Sequence, residues 1–407
     1  MSIGPYKKLM NILALVPAAN SGNTYLTEEL KAFSGRGVAV HVVSFAVKTR
    51  CVVDGVTIHP VPRKRQLFRT LASLRWFSHV PQKMKTIRDR IHLCRALRTI
   101  SRVIQQEQID VIYSPFCSPY ETAGLPAATL AGIPVVPSLR GADVLVEESI
   151  GYGNTLDPNS RKRISATLSR ADHVIGVSRA IADRGIELGA SAHTTSVVLK
   201  GVDEVRFSPA DTAQARRKLE LDDVPTVLFV GLLIPRKGVA CLLGAFEIVR
   251  QRIPNAQLVL CGEGPELATL KDIARERNID SAASFVGRVE RDLMPEYFRA
   301  CDVFVLPSLT EGSGNVLVEA GACAKPLVGT NAAGIPDYID EGVTGYLFQK
   351  NDPDDLADKL VAILQDKPLA SRMGEAARKR VEKQHTYDQM IDQLLGIFRA
   401  AVQEKNS

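Results

Sequence analysis

The chain has 407 residues, of which 45% are hydrophobic and 24% charged, and its formal net charge is +6. This is the composition of a globular protein with ample length for two domains, and it excludes wholesale disorder. No apolar run of the sequence approaches the ~20 residues that a membrane-spanning helix needs. The seven cysteines include no C-x-x-C pair, so the sequence indicates neither a disulfide framework nor a zinc site. Scattered single thiols favour a protein of the reducing cytoplasm.

In the first half of the chain, short apolar runs stand at 10–16, 38–45, 111–113, 134–138 and 173–177. Runs of this length that are rich in Val, Ile and Leu predict buried β-strands. Strands that alternate with helices predict a parallel sheet with right-handed crossovers. The run at 171–178 is expected to form the last strand of this half.

Between the second and third of these runs the charge is strongly one-sided. Residues 61–104, called here the basic stretch, hold twelve Lys or Arg and a single acid, Asp89, together with Phe68, Trp76 and Phe77. A basic amphipathic helix with aromatic residues is typical of attachment to an anionic membrane surface. The alternative is a core-facing helix with a solvated basic face. No nucleic-acid partner is expected, because no recognition motif accompanies the charge.

In the second half of the chain, predicted strands and helices alternate more regularly. Apolar runs at 226–230, 256–261, 283–286, 302–307 and 326–329 alternate with amphipathic stretches such as 238–250, 266–277 and 315–324. This pattern predicts a second α/β domain. We therefore predict an N-terminal domain at 1–197 and a C-terminal domain at 210–380. A final helix at 387–403 carries an apolar stripe that needs a partner surface.

The most informative segment is 302–324, where a strand leads into a Gly-rich loop and then into a helix that starts near Asn315. The backbone N–H groups of such a loop and the helix N-terminus favour an anion, such as a diphosphate. Glu311 in the loop and Glu319 on the helix can accept hydrogen bonds from sugar hydroxyls. This combination suits a nucleotide sugar. The alternative is an ordinary Gly loop before a helix with an acid near its positive end.

Two further loops are expected at the same edge of the sheet. Arg236 and Lys237 follow the strand at 226–230, and Gly262 opens the turn after the strand at 256–261. Open α/β sheets bind ligands at this edge, and two cations there can neutralise a leaving diphosphate. The alternative for the Arg-Lys pair is a solvated basic turn.

The segment EGSGNVLVEA, with seven residues between Glu311 and Glu319, resembles the Glu-x7-Glu signature of the retaining family 4 glycosyltransferases. Other matching pieces stand in the right order: SRADHVIGVSRAI, VVLKGVDEVRFSP, PRKG, CGEGPELATL, FVGRV, DVFVLPS and GIPDYIDEGVTGYLF. The match covers nearly all of residues 170–365. It is thinner in the first half, where VPAANSG and PVVPSLRGADV carry it.

The resemblance implies an α/β protein of GT-B architecture, in which two Rossmann-like, doubly wound domains face a central cleft. It also implies sugar transfer from a nucleotide-diphosphate sugar with retention of configuration and without a metal or other cofactor. The final helix would then pack back on the N-terminal domain. The catalytic residues expected are Glu311, Arg236 and Lys237. The donor-binding residues expected are Gly22, Gly262, Gly287, Arg288, Val289, Gly314, Asn315, Val316, Leu317 and Glu319.

The resemblance also assigns roles within this set. Glu319 would bind the ribose hydroxyls, and Glu311 with the backbone of 314–317 would surround the donor sugar and the diphosphate. The turn at 287–289 would meet the base. Gly22 would let the backbone of the N-terminal domain close on the diphosphate.

The chain departs from the family pattern at three positions. Leu232 stands where family members often carry Arg, and Lys200 stands where Asn is usual. A His that normally approaches the donor sugar is absent from the segment that begins at Tyr113. On the acceptor side, Arg140 and Asp143 are the candidates to take its place.

The function expected from these observations is transfer of a sugar to a glycan or lipid-linked acceptor in polysaccharide or glycoconjugate synthesis. The enzyme would be cytoplasmic, with peripheral attachment to the inner membrane face. Two alternatives stay open, a nucleotide-sugar epimerase of the same fold and a catalytically inactive sugar-nucleotide-binding subunit. A NAD-dependent oxidoreductase is disfavoured, because VPAANSG stands after the first strand in place of G-x-G-x-x-G.

Overall fold

The computed structural model describes residues 10–15, 24–44, 48–61, 87–117 and 121–407. These residues form two α/β units, each built on one sheet with helices around it. Within them, no helix combines the length and the apolar character that crossing a membrane requires.

The first unit is built on an eight-stranded sheet. Its strands are β1 (Asn11–Ala14), β2 (Ala39–Ser44), β3 (Cys51–Val53), β4 (Val56–Pro60), β5 (Val111–Ser114), β6 (Val135–Leu139), β7 (Val174–Gly176) and β8 (Thr195–Val197). Its helices are α1 (Thr24–Gly35), α2 (Ile87–Gln106), α3 (Glu121–Ala131), α4 (Pro158–Leu168) and α5 (Arg179–Glu187). The strand order is β3-β4-β2-β1-β5-β6-β7-β8, and only β3 runs antiparallel to its neighbour.

The second unit is built on a six-stranded parallel sheet. Its strands are β9 (Thr226–Val230), β10 (Gln257–Cys261), β11 (Ala283–Gly287), β12 (Val303–Leu306), β13 (Leu327–Thr330) and β14 (Gly345–Phe348). Its helices are α6 (Thr212–Lys218), α7 (Val239–Arg252), α8 (Leu267–Glu276), α9 (Met294–Ala300), α10 (Asn315–Ala322), α11 (Pro353–Gln365) and α12 (Lys367–Gln384). The order β11-β10-β9-β12-β13-β14 reverses between β9 and β12. An open α/β sheet binds its ligand at such a switch point.

The central strands of the second sheet are continuous apolar runs because both of their faces are buried. Every residue of β9 and of β12 is buried, and helices α7 and α11 pack Leu242, Phe246 and Leu360 on one face of the sheet. Helix starts are set by side chains that accept N–H groups of the first turn, such as Asp352 before α11 and Asp366 before α12. The cores thus lie between the sheets and their helices.

The last helix, α13 (Tyr387–Asn406), crosses from the second unit to the first. Its apolar stripe, with Leu394 and Phe398, is buried against Phe33 of α1 and Tyr113 of β5. A capping box between Thr386 and Gln389 fixes its start. The domain limits 1–197 and 210–380 stay predictions.

Two expectations about the first unit need correction or restriction. The run at 171–178 is not the last strand of the first sheet, because β8 adds a short strand at the edge beyond β7. Of the basic stretch, residues 62–86 with Phe68, Trp76 and Phe77 lie outside the described residues. The described part of α2 buries Leu97 and Ile100 in the core.

Candidate active site

Three loops meet at the carboxyl edge of the second sheet, because they follow the adjacent strands β10, β9 and β12. They pack backbone to backbone. At Gly262 φ is +156°, and a Cβ there would lie 1.8 Å from the carbonyl oxygen of Gly231, so only glycine fits. The three loops predicted from the sequence therefore lie side by side at the switch point.

Glu311, Arg236 and Lys237 form one ion cluster between two of these loops. A carboxylate oxygen of Glu311 accepts hydrogen bonds from Nζ of Lys237 at 2.6 Å and from Nη1 of Arg236 at 3.0 Å. The Arg236 guanidinium also donates to the carbonyl of Thr310 and lies 5.1 Å from the ring centroid of Tyr152. Burial raises the pKa of Glu311, but the charges of Lys237 and Arg236 outweigh burial and hold it below its usual value. The Glu311 carboxylate is thus ionised at neutral pH.

Glu319 lies on the second turn of α10, with its side chain almost fully buried. Its Oε1 accepts a hydrogen bond from Nη1 of Arg291 at 2.7 Å. Arg291 also donates from Nε and Nη2 to the carboxylate of Glu28 on α1, at 3.1 and 2.9 Å. The carboxylate predicted to bind ribose is therefore tied to the first unit through one guanidinium.

The remaining donor-side residues lie around the start of α10 and at the end of β11. Gly314 precedes α10, and Asn315 at its first position accepts a hydrogen bond from Ser313. Val316 is half-buried, and Leu317 is fully buried below the loop. These residues place the positive end of α10 at the switch point.

The end of β11 carries the three residues predicted to meet the base. Gly287 has φ of +81°, and its carbonyl accepts the N–H of Gly262. Arg288 is exposed, with Nη1 3.6 Å from a carboxylate oxygen of Glu263, and Val289 is half-buried. Gly22 lies outside the described residues.

The first unit faces the loop at 307–314 between β12 and α10, called here the donor loop, with the turn after β6. A Cβ on Gly312 would lie 1.9 Å from the carbonyl oxygen of Arg140, so the two units touch through their backbones here. Asp143 shapes this turn, since its carboxylate accepts the N–H groups of Arg140 and Gly141. Both predicted acceptor-side residues thus lie beside the donor loop. Their side chains, however, are bonded within the first unit.

The Arg140 side chain belongs to a buried cluster around Glu29. Oε1 of Glu29 accepts from Nη2 of Arg140 at 2.6 Å and from the hydroxyl of Tyr113, and Oε2 accepts from Nζ of Lys200 at 2.7 Å. Burial opposes ionisation of Glu29, but Arg140 and Lys200 hold its pKa at about 2. Burial and the nearby Arg140 lower the pKa of Lys200 to about 8.

Comparison with known proteins decides the family. Residues 211–380 match the family described as Glycosyl transferases group 1, and residues 22–206 match Glycosyltransferase Family 4. The GDP-mannose-dependent alpha-(1-6)-phosphatidylinositol monomannoside mannosyltransferase of Mycobacterium tuberculosis is 30% identical over 73% of this chain and 78% of its own length. The chain belongs to glycosyltransferase family 4. It is a nucleotide-sugar-dependent transferase.

Other relatives of this glycosyltransferase have different substrates in their names. The N-acetyl-alpha-D-glucosaminyl L-malate synthase of Bacillus anthracis is 28% identical over 74% of this chain and 77% of its own length. The D-inositol 3-phosphate glycosyltransferase of Thermobifida fusca is 30% identical over 69% of this chain and 68% of its own length. The family is thus shown, while donor and acceptor differ among its members.

Solved structures show that the glycosyltransferase has the GT-B fold. HepE of Anabaena, solved with UDP and glucose, has a TM-score of 0.75 at 20% identity and covers 96% of this chain and 100% of its own. Sucrose-phosphate synthase of Thermosynechococcus elongatus also has a TM-score of 0.75 at 20% identity, with 96% and 98% covered. The predicted pair of Rossmann-like sheets is confirmed.

The structure shows where the three departures from the family pattern lie and what they contact in this glycosyltransferase. Leu232 is 54% exposed at the sheet edge, and Arg236, four residues later, pairs with Glu311. Tyr113 and Lys200 are both buried and both bonded to Glu29. Two of the departures therefore belong to one buried cluster, which the sequence alone did not indicate.

Three residues beside the candidate site were not predicted from the sequence: Glu28, Glu29 and Arg291. None of them belongs to a motif, and their partners lie far away in the chain, so only the folded structure brings them together. In the second unit, the only local signal for Arg291 is its place in the loop after the predicted base-contacting turn.

Among the described residues, one group has the chemistry of metal ligands: His41, His59 and Glu107. Nδ1 of His41 lies 3.0 Å from Nε2 of His59, and Glu107 pairs with Arg50. The backbone carbonyl of Glu107 accepts from Asn11 at the start of β1. His41 and His59 thus lie within the neighbouring strands β2 and β4, Glu107 follows α2, and the three side chains bond to each other or to Arg50.

Proposed function

We propose that this glycosyltransferase moves a sugar, with retention of configuration, from a nucleotide-diphosphate sugar to a hydroxyl of a glycan or lipid-linked acceptor. The observation that carries the proposal is the cluster of Glu311, Arg236 and Lys237 at the switch point of the second sheet. Two cations and the start of α10 converge there on the place where an open α/β sheet binds anions.

The proposed step breaks the bond between the anomeric carbon and a diphosphate oxygen and forms a bond between that carbon and the acceptor oxygen. Negative charge grows on the leaving diphosphate, and Arg236 and Lys237 stabilise it. The proton of the acceptor hydroxyl passes to the departing diphosphate. Because the chain supplies both cations, we expect no metal or other cofactor to be needed.

Glu311 has two consequences for this step. In the structure it neutralises part of the charge of Arg236 and Lys237. A bound diphosphate therefore competes with Glu311 for the two cations. Once displaced from them, the ionised carboxylate can accept hydrogen bonds from hydroxyls of the donor sugar.

We place the acceptor at the inner face of a membrane, reached from the cytoplasm. The relative from Mycobacterium tuberculosis bears the name of an enzyme that acts on a phosphatidylinositol mannoside, which supports a lipid-linked acceptor. The basic stretch supports attachment to an anionic surface, with twelve cations against one acid in the sequence. Among its described residues, Arg98 and Arg102 are exposed on α2.

Turnover measurements test the proposal. Purified protein is incubated with UDP-, GDP-, ADP- and TDP-linked sugars, with alkyl glycosides as acceptors and with EDTA present. We expect one donor class to release its nucleoside diphosphate, and NMR of the product to show the anomeric configuration of the donor.

Four results would contradict the proposal in different ways. An inverted product would overturn retention, and loss of turnover in EDTA would show that a metal is needed. An epimerised sugar without transfer would indicate the epimerase. Donor binding with no turnover on any acceptor would indicate an inactive binding subunit.

A further inference from the structure

We propose that Glu28, a residue of the first unit, takes part in nucleoside recognition in the second unit, with Arg291 as the positioning residue between Glu28 and Glu319. The proposal rests on the proposed function, in which Glu319 accepts hydrogen bonds from the ribose. The family resemblance implies no role for α1 in donor binding. The proposal adds one, because donor affinity would depend on a side chain of α1.

The geometry of Arg291 carries the proposal. Its Nη1 donates to Oε1 of Glu319 at 2.7 Å, and its Nε and Nη2 donate to the two oxygens of Glu28 at 3.1 and 2.9 Å. The guanidinium is planar, so the paired contact with Glu28 fixes the plane and direction of the third N–H group. The position of Glu28 therefore sets the direction from which Glu319 is held.

Two further contacts hold this arrangement in place. The guanidinium carbon of Arg291 lies 5.4 Å from the ring centroid of Phe207. The hydroxyl of Tyr387, at the start of α13, donates to Oε2 of Glu28 at 2.6 Å. Burial and the nearby Glu28 raise the pKa of Tyr387, so the phenol keeps its proton and stays a donor. Three separate segments of the chain thus contact the Arg291 guanidinium, and a fourth, the start of α13, reaches it through Glu28.

Charge explains why Arg291 matters for Glu319. The Glu319 side chain is 3% exposed, and a buried carboxylate without a cation is costly. A Lys at 291 would keep the charge but could not make the paired contact with Glu28, since its ammonium is a point charge. The guanidinium therefore serves orientation as well as charge balance.

Calorimetric titration of the donor into three variants tests the proposal. The donor used is whichever nucleotide sugar the turnover panel identifies. We expect Glu28→Gln to weaken donor binding about tenfold, Arg291→Lys to weaken it at least as much, and Tyr387→Phe to weaken it less. The Michaelis constant for the donor should rise more than the turnover number falls. Asp292→Asn is the matched control, because Asp292 adjoins Arg291 in the chain and is 99% exposed in a pair with Arg206.

A double variant separates positioning from a general structural effect. If Glu28 acts through Arg291 on Glu319, Glu28→Gln should weaken donor binding no further in a Glu319→Gln background. If Glu28→Gln weakens donor binding as much in the Glu319→Gln background as in wild type, the proposal is overturned. So would normal donor affinity in the Glu28→Gln, Arg291→Lys and Tyr387→Phe proteins.

The failure of the proposal differs from a failure of the proposed function. If Glu319→Gln loses donor affinity while Glu28→Gln does not, Glu319 keeps its ribose role and only the link through Arg291 is wrong. If Glu319→Gln binds the donor normally, the ribose assignment itself is wrong, and the inference falls with it. Tyr387→Phe keeps the test open should a charge variant fail to fold, because it removes only a hydroxyl.

Discussion

Glu311 is a half-buried carboxylate and Glu29 a buried one, and each of them faces two cations. Glu311 lies at the switch point of the second sheet, where a ligand can reach its partners Arg236 and Lys237. Glu29 lies inside the first unit, and its partner Arg140 reaches the cleft only through its backbone carbonyl. We therefore propose that the Glu311 cluster serves the reaction, whereas the Glu29 cluster holds the fold of the first unit together.

Replacement of both Arg236 and Lys237 by Ala tests the role of the second-sheet cluster. We expect turnover to fall about 100-fold or more, because the leaving diphosphate loses its stabilising charges. The double variant also leaves the half-buried Glu311 without its two cations, which lowers the melting temperature. A triple variant with Glu311→Gln as well should recover the melting temperature and not the turnover. Near-normal turnover in the double variant would remove the two cations from the mechanism.

Glu29→Gln tests the first-unit cluster through its pH dependence. The pKa of Glu29 is about 2 in the fold against an ordinary value of 4.5, which corresponds to about 3 kcal/mol of stability. Because the folded pKa is the lower one, this stability is present above pH 4.5 and is lost as the pH falls toward 2. Denaturant unfolding of wild type and variant should therefore show a gap that is widest at neutral pH and shrinks below pH 4.5. A gap that does not change with pH would contradict this assignment.

At the scale of elements, periodicity predicted the second unit well. The runs at 226–230, 256–261 and 283–286 correspond within a residue to β9, β10 and β11, because buried parallel strands are continuous apolar runs. The first unit was predicted less completely. Its hairpin of β3 and β4, which was not predicted, turns at Asp54 and Gly55, both with positive φ, and an Asp-Gly pair is the local signal for such a turn. The three-residue β8 offers no periodicity to detect.

The candidate site also contains residues that the sequence could predict and residues that it could not. Residues in loops next to strands, such as Glu311 and Arg236, could be predicted because parallel strands bring their carboxyl ends to one edge. Glu28 and Arg291 could not, since they are separated by 263 positions in the chain and no local pattern records their contact.

Gly312→Ala tests the contact between the donor loop and the turn after β6. A Cβ there would lie 1.9 Å from the carbonyl oxygen of Arg140 and 3.0 Å from Cα of Gly141, so the loop and the turn must separate. We expect turnover to fall roughly tenfold to 100-fold, because small displacements of a donor site are costly. Gly396→Ala on α13, where no atom lies within 4 Å of the added carbon, is the matched control. Equal activity of the two variants would show that the contact is not needed.

At the scale of the whole molecule, the basic stretch raises the question of where the enzyme works. Exposed cations attract anionic lipid over roughly 8–10 Å at physiological salt. We therefore expect the protein to co-sediment with vesicles that contain phosphatidylglycerol and less with neutral ones, and to be released in part as salt rises. Aromatic residues should contribute a salt-resistant part, since apolar burial is not screened.

Charge reversal supplies the control for this binding. Arg63→Glu with Lys64→Glu, which fall in the part of the basic stretch outside the described residues, should abolish the preference for anionic vesicles. Arg372→Glu with Lys379→Glu changes the net charge equally at exposed positions of α12 and should leave the preference intact. Equal binding to neutral and anionic vesicles, or none to either, would show that the basic stretch only keeps the protein hydrated.

Calorimetric titration of nucleotide sugars into wild type and Glu319→Ala, with EDTA present, tests our claim that the second unit holds the donor through Glu319 at the switch point of its sheet. We expect one nucleotide class to bind wild type. Loss of hydrogen bonds to a charged acceptor costs about 1.5–3 kcal/mol, so Glu319→Ala should bind it roughly 10- to 100-fold more weakly. Equal affinity in the two proteins, or no binding of any nucleotide sugar to wild type, would contradict the claim.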